Sequence, residues 1–147
     1  MGNGVLIGSR RLNPSPGINT VTKTVTLAQL NAGHVLVPAY GACKFRVVGF
    51  TLLLNGTFIT ATDIRISDTA GTPVDIATLA IAQAVDNAQL GPDSTGITLN
   101  AGWAASLTGG KGIQIRKTGS AAAGGTDILV TLQYELVSGV NAGGLAA

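Results

Sequence analysis

Residues 127–136 read DILVTLQYEL, and their alternation decides the fold class. Ile128, Val130, Leu132, Tyr134 and Leu136 fall on one face, while Asp127, Thr131, Gln133 and Glu135 fall on the other. A strand sends successive side chains to opposite sides, so a period of two marks a strand with one face in a core and one in water. Immediately upstream, residues 119–125 are a low-complexity loop of Ser, Ala and Gly, and before it Ile113 and Ile115 alternate with Gln114 and Arg116.

The same pattern recurs towards the N-terminus. From Thr20, Val21, Val25 and Leu27 share a face with Lys23, and Thr20, Thr22, Thr24 and Thr26 line the other. The runs His34–Val37 and Cys43–Leu54 flank Pro38-Ala39-Tyr40-Gly41-Ala42, which has the length and chemistry of a hairpin loop. Pairing Val37 with Cys43 puts Val35, Val37, Cys43, Phe45 and Val47 on one face, with His34, Leu36, Lys44 and Arg46 on the other. Beyond Gly49 the run becomes apolar on both faces, through Phe50, Leu52, Leu53 and Leu54. A bulge at Gly49, or cover from a neighbouring subunit, accounts for it, and the second reading makes Phe50, Leu52 and Leu54 an oligomer interface.

Residues 58–67 alternate again, Ile64 and Ile66 against Asp63 and Arg65, which read as a same-face ion pair. Residues 74–85 fit a short helix or a strand, and are taken as a strand; Ile97 with Leu99, and Trp103 with Ala105 and Leu107, suggest two short strands more. About eight short strands at regular spacing predict an all-β, single-domain β-sandwich or jelly roll over residues 20–137. Its expected core includes Val35, Val37, Phe45, Val47, Ile128, Val130, Leu132 and Leu136. Residues 1–19, punctuated by Gly and Pro, read as an extended N-terminal arm, and residues 138–147 as a flexible tail.

Composition narrows the class of function. The 147 residues suit one domain with a real core. Hydrophobic residues make up 46% and charged residues only 11%, against about 25% charged in an ordinary soluble domain. Such a surface is poorly charged for a free monomer, and mean hydropathy is correspondingly high at +0.41. The net charge of +2 makes no polybasic surface. A single Cys excludes an intramolecular disulfide framework and suits assembly in a reducing cytoplasm. Val5-Leu6-Ile7 is too short for a signal-peptide core, no window approaches a membrane span, and Leu6 stands where myristoylation needs Ser or Thr. The chain is expected to be soluble and unprocessed, with no membrane partner.

Chemistry-bearing constellations are sparse. Cys43 and His34 are the only thiol and imidazole, and the hairpin register puts them on opposite faces, which argues against a dyad. One His and one Cys do not build a zinc site within a chain. Asp63, Asp68, Asp75, Asp86, Asp93, Asp127 and Glu135 show no paired spacing, and Asp68, Asp86 and Asp93 fall in turn-like segments. Leu107-Thr108-Gly109-Gly110-Lys111-Gly112 imitates a phosphate loop, but Gly112 occupies the magnesium-binding Ser or Thr position and a strand follows where a helix is required. It reads as a turn before an edge strand. Gly2-Asn3-Gly4 lacks the preceding strand of a dinucleotide fingerprint. Arg10-Arg11 and Arg116-Lys117 have no aromatics among them, so direct nucleic-acid binding is not expected. No enzyme, cofactor or metal is expected.

From Thr20 to about Leu136 the sequence resembles the small jelly-roll cement, or decoration, proteins of tailed-bacteriophage heads. The resemblance is carried by VTKTVTLAQLNAGHVLVP (21–38), CKFRVVGFTLLLNG (43–56) and LTGGKGIQIRKTGSAAAGGTDILVTLQYEL (107–136). It implies a homotrimer on the capsid exterior of the virion, bridging adjacent major capsid proteins and assembled in the host cytoplasm. The arm's informative side chains, Val5, Leu6, Ile7, Arg10, Arg11 and Leu12, are then the expected partner-binding residues. Two alternatives share the composition: a phage tail, baseplate or head-fibre component, and a carbohydrate-binding β-sandwich module. The latter would want exposed aromatic platforms, and Trp103, Tyr40 and Tyr134 are few.

Overall fold

A computed structural model describes residues 17–100 and 107–138. The stretch quoted first is the twelve-residue strand β9 (Asp127–Ser138), and it lies between β1 (Ile18–Thr26) and β3 (Lys44–Asn55). The remaining strands are β2 (His34–Val37), β4 (Ile59–Asp68), β5 (Asp75–Ala80), β6 (Gln89–Leu90), β7 (Ile97–Leu99) and β8 (Ile113–Ala123). One antiparallel sheet has the order β1-β9-β3-β6, and the other β2-β8-β4-β5-β7. Setting aside the extra edge strand β7, the partners are first with last (β1·β9), then β2·β8, β3·β6 and β4·β5. This nesting is a long hairpin wrapped over two sheets, the jelly roll.

The inward faces of the two sheets make one core, in which Phe45, Phe58, Ile64, Ile66, Ile115 and Ile128 are fully buried. Val37, Val47, Val130 and Leu132 join it as expected, and Leu136 packs partly buried at its margin. Gly49 does mark a bulge: the register of β3 against β9 shifts between Val47 and Gly49, and a Cβ at Gly49 would come within 2.6 Å of Gln133 Oε1.

Several expectations require correction. The runs around residues 38–42 do not pair as a hairpin, since β2 joins β8 in one sheet and β3 joins β9 in the other, so the Pro38–Ala42 loop is a crossover between sheets. A register shift between Val35 and Val37 turns Val35 outwards and buries Leu36. The first strand stops at Thr26, where helix α1 (Leu27–Ala32) begins. Gln29 N donates to Thr26 Oγ1 at 3.2 Å and Thr26 N donates to Gln29 Oε1 at 2.9 Å, the reciprocal capping box. The segment after Leu107 leads into β8, an interior strand between β2 and β4. Trp103 and Ala105 lie outside the described residues. Finally, Phe50, Leu52 and Leu54 are buried in the chain's own core and are not available to a neighbour; only Leu53 of that run faces out.

Candidate functional site

The two outer faces of the sandwich have opposite chemistry. On the β2-β8-β4-β5-β7 sheet the register sets Arg65 opposite Arg116 and Asp63 opposite Thr118, with Asp75 on the flanking strand. Two arginines facing each other would repel. Asp75 resolves this by taking one from each side: Arg65 Nη1 donates to Oδ2 and Arg116 Nη2 to Oδ1, both at 2.7 Å. Asp63 binds Arg65 through two bonds of 2.8 and 2.9 Å and accepts from Thr118 Oγ1 at 2.6 Å; Arg116 Nε donates to Ser67 Oγ at 3.0 Å. The hydrogen bonds from Arg65 hold the Asp63 carboxyl below its usual range against the cost of its burial, and Asp63 holds the guanidinium protonated in return. The sequence-predicted pair Asp63 and Arg65 is thus half of a four-charge chain.

At the end of β4, Asp68 is fully buried. Its Oδ1 accepts from Ala70 N at 3.1 Å and Val74 N at 2.9 Å, which is the expected turn chemistry; its Oδ2 accepts from Thr108 N at 3.1 Å and Thr108 Oγ1 at 2.6 Å. Burial pushes this carboxyl up, and the four bonds more than offset it, leaving it below the ordinary range.

The outer face of the β1-β9-β3-β6 sheet carries almost no charge. Its cross-strand rows run Thr24, Leu129, Leu53 and Gln89; then Thr22, Thr131 and Thr51; then Thr20, Gln133 and Gly49; then Ile18, Glu135 and Arg46. Arg46 and Glu135 pair with each other. Lys44 stands at one rim against Gly109, and Asp127 at the other.

The two poles differ as well. One is closed by α1 and by tight turns: Leu27 N donates to Thr126 O at 3.0 Å, Thr126 N to Asn55 O at 2.8 Å, and Gly56 N to Asp86 Oδ1 at 2.7 Å. The other holds the start of β1 and the end of β9, since Ile18 pairs with Glu135 and Lys44 with Ser138. The described chain therefore enters β1 and leaves β9 at this pole, where Lys44 also stands.

Of the residues singled out from sequence, Val5, Leu6, Ile7, Arg10, Arg11 and Leu12 lie outside the described residues. Phe50, Leu52 and Leu54 come together inside the core rather than on a surface. His34 lies on β2 of one sheet and Cys43 just before β3 of the other, and burial raises the Cys43 thiol above its ordinary range. Among the described residues no group of three His, Cys, Asp or Glu side chains is placed to hold a metal ion. The Leu107–Gly112 stretch is a turn: Gly110 has φ +75°, and a side chain at Gly112 would collide with the backbone of Val37–Ala39. The sequence reading missed the Thr-rich face as a unit; its signal was Leu53 within the doubly apolar run, directly opposite the outward-facing Leu129. No family model matches this chain, and no curated protein matches it.

Proposed function

We propose that this protein is a capsid cement, or decoration, protein: a homotrimer on the exterior of an assembled phage head, holding adjacent major capsid proteins together. One observation supports this most directly. β1 begins and β9 ends at a single pole of a jelly roll whose sequence carries 11% charged residues, so the segment with Val5, Leu6, Ile7, Arg10, Arg11 and Leu12 leads into the domain at that pole. A pole with two covalently attached segments can engage more than one subunit of a lattice. Each further contact is intramolecular once the first has formed, so modest footprints add to a firm hold. Bridging then opposes separation of the subunits. No catalytic step is assigned to any residue.

The test is co-sedimentation with purified heads that lack the protein. Full-length protein is expected to saturate a fixed number of sites, and a variant without residues 2–13 to bind at least tenfold more weakly, about 1.4 kcal/mol. β1 begins only at Ile18, so this truncation leaves every described strand intact. Failure of the full-length protein to co-sediment would overturn the cement function. Equal occupancy by the truncated protein would overturn the role of the arm.

A further inference from the structure

Strand β3 ends on Asn55, an exposed asparagine followed by Gly56, and this dipeptide is chemically labile. In a flexible chain the peptide nitrogen after an asparagine attacks the side-chain amide carbon, and glycine, with no Cβ to shield that nitrogen, allows the fastest attack. Here Gly56 N would give up its proton and bond to Asn55 Cγ, the Cγ–Nδ2 bond would break, and the proton would leave with Nδ2 as ammonia. Water then opens the resulting succinimide at either carbonyl, giving aspartate or its β-linked isomer. The fold nevertheless demands glycine at this point. Gly56 has φ +91°, and a Cβ there would come within 3.1 Å of Gly125 Cα and Thr126 N.

Attack requires the peptide plane between Asn55 and Gly56 to turn. A strand holds ψ near about +135°, which directs the next nitrogen away from the side-chain amide carbon. Both polar ends of this plane are fastened: Thr126 N donates to Asn55 O at 2.8 Å, and Gly56 N donates to Asp86 Oδ1 at 2.7 Å. Residues 84–88 strap the rest of the turn. Leu54 N donates to Ala88 O and Asn87 N to Leu54 O, both at 2.9 Å, Phe58 N to Ala84 O at 2.8 Å, and Asp86 N to Thr57 Oγ1 at 3.1 Å. Asn87 takes a φ of +63°, uncommon for a residue other than glycine, and its Nδ2 donates to Asp86 Oδ2 at 3.2 Å. One carboxylate oxygen is thereby tied within the strap while the other meets Gly56.

We infer that Asn55 is a latent deamidation site, and that Asp86 is the positioning residue that keeps it unreacted in the folded chain. Opening of the α1 pole frees the peptide plane, and refolding does not reverse the reaction. The product carries a carboxylate directly opposite Asp127, the β9 partner of residue 55, and lowers the net charge by one. Like charges in facing positions weaken a strand pair. A transient opening is thus converted into a lasting loss at the end of β3.

Peptide mapping by mass spectrometry over days at mildly alkaline pH, with circular dichroism as the check on folding, tests this. Residue 55 of the native wild type is expected to convert at least about tenfold more slowly than in the urea-unfolded full chain. Asp86→Ala is expected to stay folded, since the side chain is exposed, and to convert at least about fivefold faster than native wild type. Asp86→Asn keeps an acceptor oxygen for Gly56 N and loses the carboxylate's basicity, so it is expected to stay as slow as wild type. A native wild type that converts as fast as the unfolded chain overturns the latent site, whatever the variants do. Conversion slower in both Asp86→Ala and Asp86→Asn than in wild type would make Asp86 a base that promotes the reaction, and overturns its positioning role. An unchanged rate in folded Asp86→Ala overturns that role equally.

Discussion

Both outer faces of this sandwich obey the same alternation, yet one spends its polar groups inside the chain and the other keeps them outward. On the β2-β8-β4-β5-β7 sheet, Asp63, Arg65, Asp75 and Arg116 saturate one another, and Thr118 and Ser67 take up remaining positions. These groups hold three strands in register and have little left to offer a partner. On the β1-β9-β3-β6 sheet, the Thr22 and Thr131 hydroxyls sit 3.4 Å apart in a weak contact, and the hydroxyl rows carry no ionic partner. On the charged sheet, charge therefore serves the fold.

The contrast breaks most sharply at Asp68. Replacing it with Ala removes the acceptor for Ala70 N, Val74 N, Thr108 N and Thr108 Oγ1 in a fully buried position. A loss of about 3 kcal/mol is expected in urea denaturation, because buried donors are left unmet. Acid should act through the same group and through Asp63. Both folded carboxyls lie below the ordinary value of 3.8. Their stabilisation is therefore fully present above the unfolded pKa, and drains away as pH falls through that value towards the folded one, from about pH 5 downwards. The urea midpoint should fall across this window in the wild type and fall less in Asp68→Ala; parallel curves would remove Asp68 from the acid response.

Much of the fold is legible locally, and what is not legible is mostly partner choice. The alternation of Ile128, Val130 and Leu132 gives their face correctly, because a period of two depends only on the strand itself. The placement of β2 beside β8 depends on residues about 80 positions away, and no local pattern encodes it. Val35 and Leu36 exchange roles through a register shift that hydrophobicity alone does not reveal. The α1 start was written in the sequence as Thr26-x-x-Gln29, but the apolar alternation through Leu27 continued the strand across it. Asp63 with Arg65 is visible at a spacing of two; their joining to Asp75 and Arg116 is made by tertiary pairing. In the apolar run of β3 the sequence shows one apolar residue more than a one-sided strand buries, and only the structure tells which: Leu53 faces out while Phe50, Leu52 and Leu54 face in.

A smaller effect is expected at Asp75, whose two oxygens separate the opposed Arg65 and Arg116. Asp75→Ala leaves the guanidiniums facing each other with only Asp63 and Ser67 as acceptors, at an expected cost of about 1–2 kcal/mol that shrinks in high salt, as partly exposed ion pairs do. Arg116→Met removes one of the repelling charges, so in that background Asp75→Ala should cost measurably less. Equal costs in the two backgrounds would mean that Asp75 acts on each arginine alone and that the four charges are not one network.

The finest comparison applies one substitution, Thr→Val, to both faces. Valine matches threonine in shape and suits a strand at least as well, so backbone and packing are held nearly constant and the hydroxyl alone is removed. At Thr118 that hydroxyl donates to the buried Asp63 carboxylate at 2.6 Å. Its loss takes a bond from a charged acceptor, and about 1.5 kcal/mol of domain stability is expected to go with it. At Thr131 the hydroxyl has the 3.4 Å contact to Thr22 and otherwise faces outward. Thr131→Val should change unfolding by less than about 0.5 kcal/mol. Equal losses at Thr118 and Thr131 would erase the distinction between an inwardly satisfied face and an outwardly available one. A large loss at Thr118 beside a negligible one at Thr131 would place the structural role of hydroxyls on the charged sheet.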